Sequence, residues 1–457
     1  MSGEPARPVL LIPVEEQVRE FDAKLLLACA AAERGFRAVL GSRHQMHLRA
    51  ARLPRGTYFA KSFRGLSLRM FEILRRLGCD IVACDEEALI PYPDKLYFER
   101  RASPEALALI SAFFAWGPAS AALFMRCPGY PGVPVHDTGN PRGDLMRPEL
   151  RPLLAAPARA LRERFGHFLL INTNFGTVNH FVPRLGWLNL PGKAQLETLP
   201  HGYVAELAQH RRALFQHFQQ MVPALARAFP ERQIVLRPHP VEDHGVWRRV
   251  AEGLPNVHVL HEGNVLPWIA AAAVLVHNGC TTGVEAFAMG AAAVAYRPVE
   301  SDEHDLFLPN ALGYRATALP ELCERVRWIV EGRRGAPEDP AQQKLLSEHL
   351  SAREGPLACD RIADALAEHL RLGRVPARRG AAARAAAVLA SEGRAWVKRL
   401  RGLRRDDENH PEYQRHRYPG VAPAELEARI AELGRALGRF GALHTRALGH
   451  QLYEISA

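Results

Sequence analysis

Apolar and polar positions along this chain form short blocks whose period changes from block to block. Residues 9–12 (VLLI) are an unbroken apolar run ending at Pro13, and Val18, Phe21, Leu25, Leu26 and Cys29 then recur at helical spacing as far as Gly35. The same alternation continues. Strands are expected in FRAVLGS, TYFAKS and DIVACDEEAL, with a short helix over 44–51 and another over 66–77. SPEALALISAFFAWG reads as a helix with Pro104 in its first turn, followed by the strand FFAW. Helices alternating with short apolar strands predict a parallel, doubly wound α/β sheet.

Turn residues and prolines cluster in VPVHDTGNPRGDLMRPEL, residues 133–150, which suggests a crossing between domains. A second alternation follows. It runs FLLINTN, a mostly helical stretch from about 201 to 229, QIVLRPHP, a helix near Val246, NVHVLHEGN, the helix VLPWIAAA, then VLVHNGCTTGVEAFAMG and AAAVAYRP. The expected organisation is two Rossmann-like domains of GT-B type, residues 1–140 and 141–340, with a cleft between them. Residues 341–457 are expected to be a helical, basic extension. Residues 385–400 of that extension could form a basic amphipathic helix with Val388, Leu389, Trp396 and Leu400 as its apolar side, touching the inner leaflet or packing on the body. The stripe Leu426, Ile430, Leu433, Leu437 and Phe440 marks a docking or oligomer helix.

The 457 residues are 47% apolar, enough for two cores, and no apolar run approaches the roughly 18–20 residues needed to span a bilayer. MSGEPARP lacks the basic and apolar blocks of a signal peptide, so a cytoplasmic protein is expected. Seven cysteines without C-x-x-C spacing argue against zinc or a disulfide framework. The formal charge is +10, yet only six of the 59 basic residues are lysine. With abundant alanine, that bias looks like GC-rich coding as much as selection for an anion. No aromatic-plus-basic RNA motif is present, so a basic face toward acidic lipids or sugars is favoured over nucleic acid.

Ligands of such sheets bind beyond the carboxyl ends of the strands, which singles out four places. In VLVHNGCTTGVE, a strand passes through a tight turn at Gly279 into a helix carrying Thr281, Thr282 and Gly283 in its first turn. A helix start offers unpaired N–H groups and the positive end of the dipole, so a phosphate can sit there, with threonine hydroxyls as further donors and Glu285 one turn on within reach of a ribose. A capped helix with no ligand is the alternative. In LRPHPVED, prolines on both sides hold His239, which could bond or protonate a leaving phosphate, with Arg237 beside it as a further nucleotide-binding candidate. Asn172-Thr173-Asn174 could bind sugar or phosphate oxygens, or only form a turn. Asp85-Glu86-Glu87 concentrates negative charge at a strand exit, the tension that a general base or carboxylate nucleophile uses; a solvated turn is the alternative. His44 with His47, and SDEHD at 301–305, have no recognisable metal-ligand set. No G-x-G-x-x-G, G-K-[ST] or G-x-S-x-G occurs.

Taken in order, VLLIPVEEQVREFDAKLLLACAAAERGF, CDEEALI, ALISAFFAWG, DTGNPRGDLMRPEL, INTNFG, RPHP and HRYPG resemble the bacterial surface carbohydrate biosynthesis protein family, from about residue 8 to 435. The resemblance implies a GT-B-like, metal-independent glycosyltransferase needing no cofactor, similar to enzymes that use CMP-activated sugars, among them sialyltransferases and the Kdo transferases of capsule, lipopolysaccharide and O-antigen assembly. It implies that His239, Thr281 and Thr282 hold the CMP phosphate, that Glu285 faces the ribose, that Asp85, Glu86 or Glu87 is the catalytic carboxylate, and, for an ulosonic donor that carries a carboxylate, that Arg237 and Arg297 are candidate clamps for it. The implied partners are a nucleotide-sugar donor and a lipid-linked or polysaccharide acceptor, bound by loops near residues 41–65. One departure is Ala88, where such enzymes carry glycine after the acidic pair. The alternatives are a UDP-sugar transferase or epimerase of the same build, and a non-catalytic assembly factor held at the membrane by its basic C-terminal region.

Overall fold

The computed structural model describes residues 7–91, 93–183, 186, 200, 202–333, 335–373, 380–405 and 407–457. The opening residues read for a signal peptide, His201 and the run 374–379 lie outside the described residues. The chain forms two compact units: Met1–Leu89, Arg100–Leu150 and Glu348–Ala457 make one, and Ile90–Glu99 with Arg151–Ser347 the other. Both are α/β.

In the first unit, β1 (Val9–Val14), β2 (Arg37–Ser42), β3 (Thr57–Ala60), β4 (Asp80–Ala83), β5 (Ala112–Ala115) and β6 (Val135–Asp137) are parallel, in the order β2-β1-β3-β4-β5-β6. β1, β3, β4 and β5 are buried at every position. That is why they read as apolar runs and not as alternation: helices cover both faces of such a sheet. The helix Gln17–Glu33 shows the same logic. Leu25, Leu26, Leu27, Cys29 and Ala30 are all buried, because the sheet lies on one side and the helices Ala358–Arg371 and Pro423–Leu437 on the other.

In the second unit, β7 (Leu169–Asn172), β8 (Ile234–Arg237), β9 (Val257–Val259), β10 (Val274–His277), β11 (Ala293–Tyr296) and β12 (Tyr314–Ala316) form a parallel sheet in the order β12-β11-β10-β7-β8-β9. The chain goes from β7 to β8 on one side and later returns to place β10 on the other, so the strand order reverses at the β7/β10 boundary. There the loops after the two strands diverge and leave a crevice. The long helix Tyr203–Ala228 packs Leu214, Phe218, Met221, Val222 and Leu225 into this core.

The C-terminal region departs from the expected division. It is not a separate helical extension: residues 348–457 fold into the first unit, and they end in a hairpin, β13 (His444–Gly449) and β14 (Leu452–Ser456). β14 pairs antiparallel with β2 and extends the first sheet to eight strands. The boundary also falls after Leu150 and not at 140, and the turn-rich DTGNPRGDLMRPEL segment gains a structural role. Asp144 accepts from the backbone N–H groups of Ala358 (2.7 Å) and Cys359 (2.9 Å), capping the helix Ala358–Arg371, and Arg147 donates to the carbonyls of Ala352 (2.9 Å) and Gly355 (2.8 Å). Those residues hold the returning chain. Farther along, His369 bonds buried Asp80 at 2.9 Å, and Leu426, Ile430, Leu433 and Phe440 are buried, so the last helix docks within the unit.

Candidate functional site

Neighbouring strands of the second sheet bring three of the four motifs together. β8, β7 and β10 lie side by side, so the loops that leave them are adjacent. The Asn174 amide donates to the Gly279 carbonyl (3.2 Å), the Gly279 N–H donates to the Asn310 side-chain oxygen (2.8 Å), and Asn278 reaches the Tyr296 carbonyl (2.8 Å). Gly279 adopts φ +54°, a conformation that favours glycine, which is how the strand reverses so tightly into the helix Thr281–Ala288. Cys280, not a threonine, occupies the N-cap, and no side chain caps the helix. Thr281, Thr282 and Gly283 are its first three residues.

Around this helix start lie polar atoms that protein does not satisfy. The side-chain oxygens of Asn172 and Thr282, the amide nitrogen of Asn310 and both ring nitrogens of His277 are buried without a hydrogen-bond partner. Each such group costs about 1–3 kcal/mol if left unmade, so a cluster of them at a helix N-terminus is a cradle for a polar ligand. Burial alone pushes the His277 ring down to about 4, so it is neutral at pH 7. Glu285 is buried one turn in.

The R-P-H-P loop is organised by Glu242, a residue the sequence reading passed over. Its Oε1 accepts from Thr173 Oγ1 (2.7 Å), Phe175 N–H (3.1 Å) and His239 N–H (3.1 Å), and its Oε2 accepts from Trp247 Nε1 (2.9 Å). One carboxylate therefore ties the I-N-T-N-F-G loop to the R-P-H-P loop. Burial pushes its carboxyl up against the pull of these four donors. Its signal in the sequence was an acid two residues after a proline and three after His239. His239 accepts the Val241 N–H on Nδ1 (3.3 Å), so its neutral ring carries the proton on Nε2.

The two expected carboxylate clamps are otherwise engaged. Arg237 donates to the carbonyls of Glu262 (2.6 Å) and Gly263 (3.0 Å) and stacks on Trp268, 4.9 Å from the ring centre. Arg297 pairs with Asp305 (2.6 Å) and Glu300 (2.9 Å). Both brace loops. SDEHD likewise packs inward through Asp305, bonded to His210 at 2.8 Å, while Glu303 and His304, whose side chain is largely buried, come together with Glu206, their ligand atoms within 4.8 Å of one another, a metal-type grouping that the sequence did not show.

In the first unit, the acidic triplet divides into three different environments. Asp85 is buried and gripped by Arg101 through two nitrogens, and its main-chain carbonyl accepts from Trp116 Nε1 (2.9 Å). Glu86 is buried, 3.7 Å from Lys24 Nζ, and its Oε2 has no hydrogen-bond partner. Lys24 and Lys61 also bind Glu20, and Lys61 binds Glu15 (2.9 Å), so Glu86 ends a buried chain of alternating charges. Glu87 is partly exposed, 3.7 Å from Arg19; burial works to raise its carboxyl, but Arg19, Arg101, Lys61 and Arg142 together hold it at about 2. Ala88 keeps a negative φ and closes the turn by donating to the Asp85 carbonyl (3.1 Å), so alanine fits there without strain.

The chain matches no family model and no curated protein. Among solved structures it is similar to HepE of Anabaena in complex with UDP-glucose, at 13% identity over 80% of this chain and 100% of that one, with a TM-score of 0.41. It is also similar to the UDP-GlcNAc 2-epimerase of Neisseria meningitidis bound to UDP-GlcNAc (12% identity, 80% and 100% covered, TM-score 0.43). A third is the wall teichoic acid polymerase TagF (8% identity, 80% and 89% covered, TM-score 0.46). No substrate is carried over from them to this chain.

Proposed function

We propose that the second unit binds a nucleotide-activated sugar, with the phosphate at the N-terminus of the helix Thr281–Ala288, and that the protein is a glycosyltransferase of surface polysaccharide synthesis. The observation that carries this reading is the set of unmatched buried atoms of Asn172, Thr282 and Asn310 around an uncapped helix start at the switch point of a parallel sheet. His239, on the adjoining loop, is assigned to the leaving phosphate, with Nε2 as the proton-bearing atom. Glu285 is assigned to the ribose.

Transfer needs one carboxylate, either as a nucleophile with retention or as a base toward the acceptor with inversion. Of the triplet, Glu86 and Glu87 are assigned this role, because Asp85 is neutralised by Arg101. The donor named by the sequence resemblance is a CMP-activated ulosonic acid such as Kdo, and the acceptor a lipid-linked or polysaccharide glycan. With Arg237 and Arg297 engaged elsewhere, the donor's carboxylate must find another cation.

The test is calorimetric titration of the protein with CMP and with UDP, alongside His239→Ala and Thr282→Val. CMP binding that UDP does not match, weakened in both variants, supports the CMP-sugar transferase. Preference for UDP moves the reading to a UDP-sugar transferase or epimerase. No binding of either nucleotide or of a whole nucleotide sugar leaves the assembly-factor reading.

A further inference from the structure

The first unit contains a second polar site, far more basic than its surroundings. A cavity of about 510 Å³ opens among Arg43 and His44 after β2, Arg64 and Arg69 at the start of the helix Gly65–Leu77, Arg394, Lys398 and Arg401 on the helix Ala381–Arg401, and Arg417 at the end of the helix Pro411–Arg417. Seven cationic side chains line it, against two carboxylates, Glu15 and Glu408.

Three of the seven have acidic partners: Arg43 and Arg417 bond Glu15, both at 2.9 Å, and Arg401 bonds Asp407 at 3.1 Å. Arg64, Arg69, Arg394 and Lys398 have no ion pair among the described residues, and Arg64 Nε is buried without a hydrogen-bond partner. Four cations without a direct ion pair among the described residues converge from two helices and a loop and repel one another, and Glu15 and Glu408, the two carboxylates of the lining, offset them only in part. The repulsion is felt in their protonation. Burial, then Arg394 and Arg43, bring Lys398 down to about 8, and burial with Lys398 and Arg394 brings His44 to about 4.

We propose that this cavity is a binding site for a phosphate-bearing anion, with Arg64, Arg69, Arg394 and Lys398 as its ligands. A multiply charged, multi-oxygen group suits several guanidinium forks better than a single carboxylate does. The cavity lies in the size range of small-molecule sites and exceeds a bare phosphate, so the phosphate is one end of a larger molecule. Exposed apolar side chains accompany it: Leu66 and Val397 on its lining, Trp396 and Leu400 on the helix Ala381–Arg401, and Leu403 in the turn that follows. Those side chains suit an amphiphile, and a water-soluble phosphoester would use the cations alone. This site is independent of the nucleotide cradle of the second unit.

The experiment compares wild type with Arg394→Gln/Lys398→Gln and with Arg69→Gln, using two probes: inorganic pyrophosphate in solution, and phosphatidylcholine vesicles with and without phosphatidylglycerol. Removing mutually repelling cations should leave the thermal midpoint unchanged or raise it, which shows that the variants fold. Pyrophosphate binding reduced at least tenfold in both variants supports the site and a soluble phosphate source. Vesicle binding that requires phosphatidylglycerol and is lost in both variants supports the site and a headgroup source. Binding of either probe that the variants retain at wild-type strength overturns the proposal, as does a wild type that binds neither.

Discussion

Gly283 and His277 share one space: a Cβ built on Gly283 would stand 2.3 Å from His277 Cε1 and 2.4 Å from Nε2. The buried imidazole of the last residue of β10 lies under the first turn of the following helix and sets how closely that helix start approaches the sheet. Gly283→Ala is therefore expected to destabilise the protein by roughly 1–3 kcal/mol through overpacking and to weaken nucleotide binding, because Thr281 and Thr282 move with the turn. A denaturant double-mutant cycle with His277→Ala checks the pair. Strict additivity would show that the two side-chain positions do not compete.

Glu242 holds the two loops beside that helix through four donors. Glu242→Ala leaves those donors buried and unmatched, and the expected loss is on the order of 3 kcal/mol or more. The His239 loop should loosen with it, so nucleotide affinity in calorimetry should drop as far as in His239→Ala. An unchanged unfolding midpoint in denaturant would sink this assignment.

Asp144 gives a pH signature. Burial pushes its carboxyl from an ordinary 3.8 up to about 6, against the pull of the Cys359 and Ala358 N–H groups. Between those pH values the native state holds a proton that the unfolded chain has released. Its contribution is therefore full below about pH 4, falls as pH rises toward 6, and is level above that. Asp144→Asn should flatten that slope, measured as unfolding free energy against pH. Asp144→Ala should also cost about 2 kcal/mol and reduce amide protection at the start of the helix Ala358–Arg371.

In the basic cavity, Lys398 faces Arg394, Arg43 and His44 on the cationic side and Glu408 and Glu15 on the acidic side. Its ammonium, lowered to about 8 by burial and the two arginines, is charged below that pH and neutral above it. Because pyrophosphate gains charge over the same range, the lysine is read from the ratio of wild-type to Lys398→Gln affinity, which should be largest near pH 7 and fall as pH rises through and beyond 8, since a bound anion favours the charged form. A ratio that stays constant from pH 7 to 9.5 would remove Lys398 from the ligand set.

The acidic triplet should separate by stability and activity. Asp85→Asn removes the charge that the Arg101 fork grips at a buried position, and the expected destabilisation is about 1–3 kcal/mol. Glu87→Gln, at a partly exposed position, should change the melting temperature little. If Glu86 or Glu87 carries the reaction, its glutamine variant abolishes sugar transfer while nucleotide binding in calorimetry is unchanged. Full transfer by both variants would return the role to another residue.

Much of the architecture was legible because it is written locally. Strands buried on both faces must be apolar throughout, and helices announce themselves by spacing, so β1 to β5 and β7 to β11 fell where the pattern put them. The places of I-N-T-N-F-G, R-P-H-P and N-G-C-T-T-G at strand ends were legible too, whereas their adjacency rests on the strand order β10-β7-β8, which the fold decided. The C-terminal hairpin was missed, since His444–Gly449 is half polar and mostly not buried, and β2, the strand that β14 pairs with, lies about 400 residues earlier. A strand at a sheet edge needs no apolar run, only a neighbour.

The sequence by itself determined the order of elements, the parallel α/β class and the residue types at each strand exit, because these depend on periodicity and backbone preference within a few residues. Only the tertiary structure decided which charged groups are spoken for. Asp85 is paired with Arg101, Arg237 is held by carbonyls and Arg297 is paired with Asp305, while Arg64, Arg69, Arg394 and Lys398 meet in one cavity with no direct ion pair among the described residues. Charge pairing is a matter of distance in space and of removal from water, and positions so distant along the chain carry no mark of one another until the fold brings them within a few ångströms.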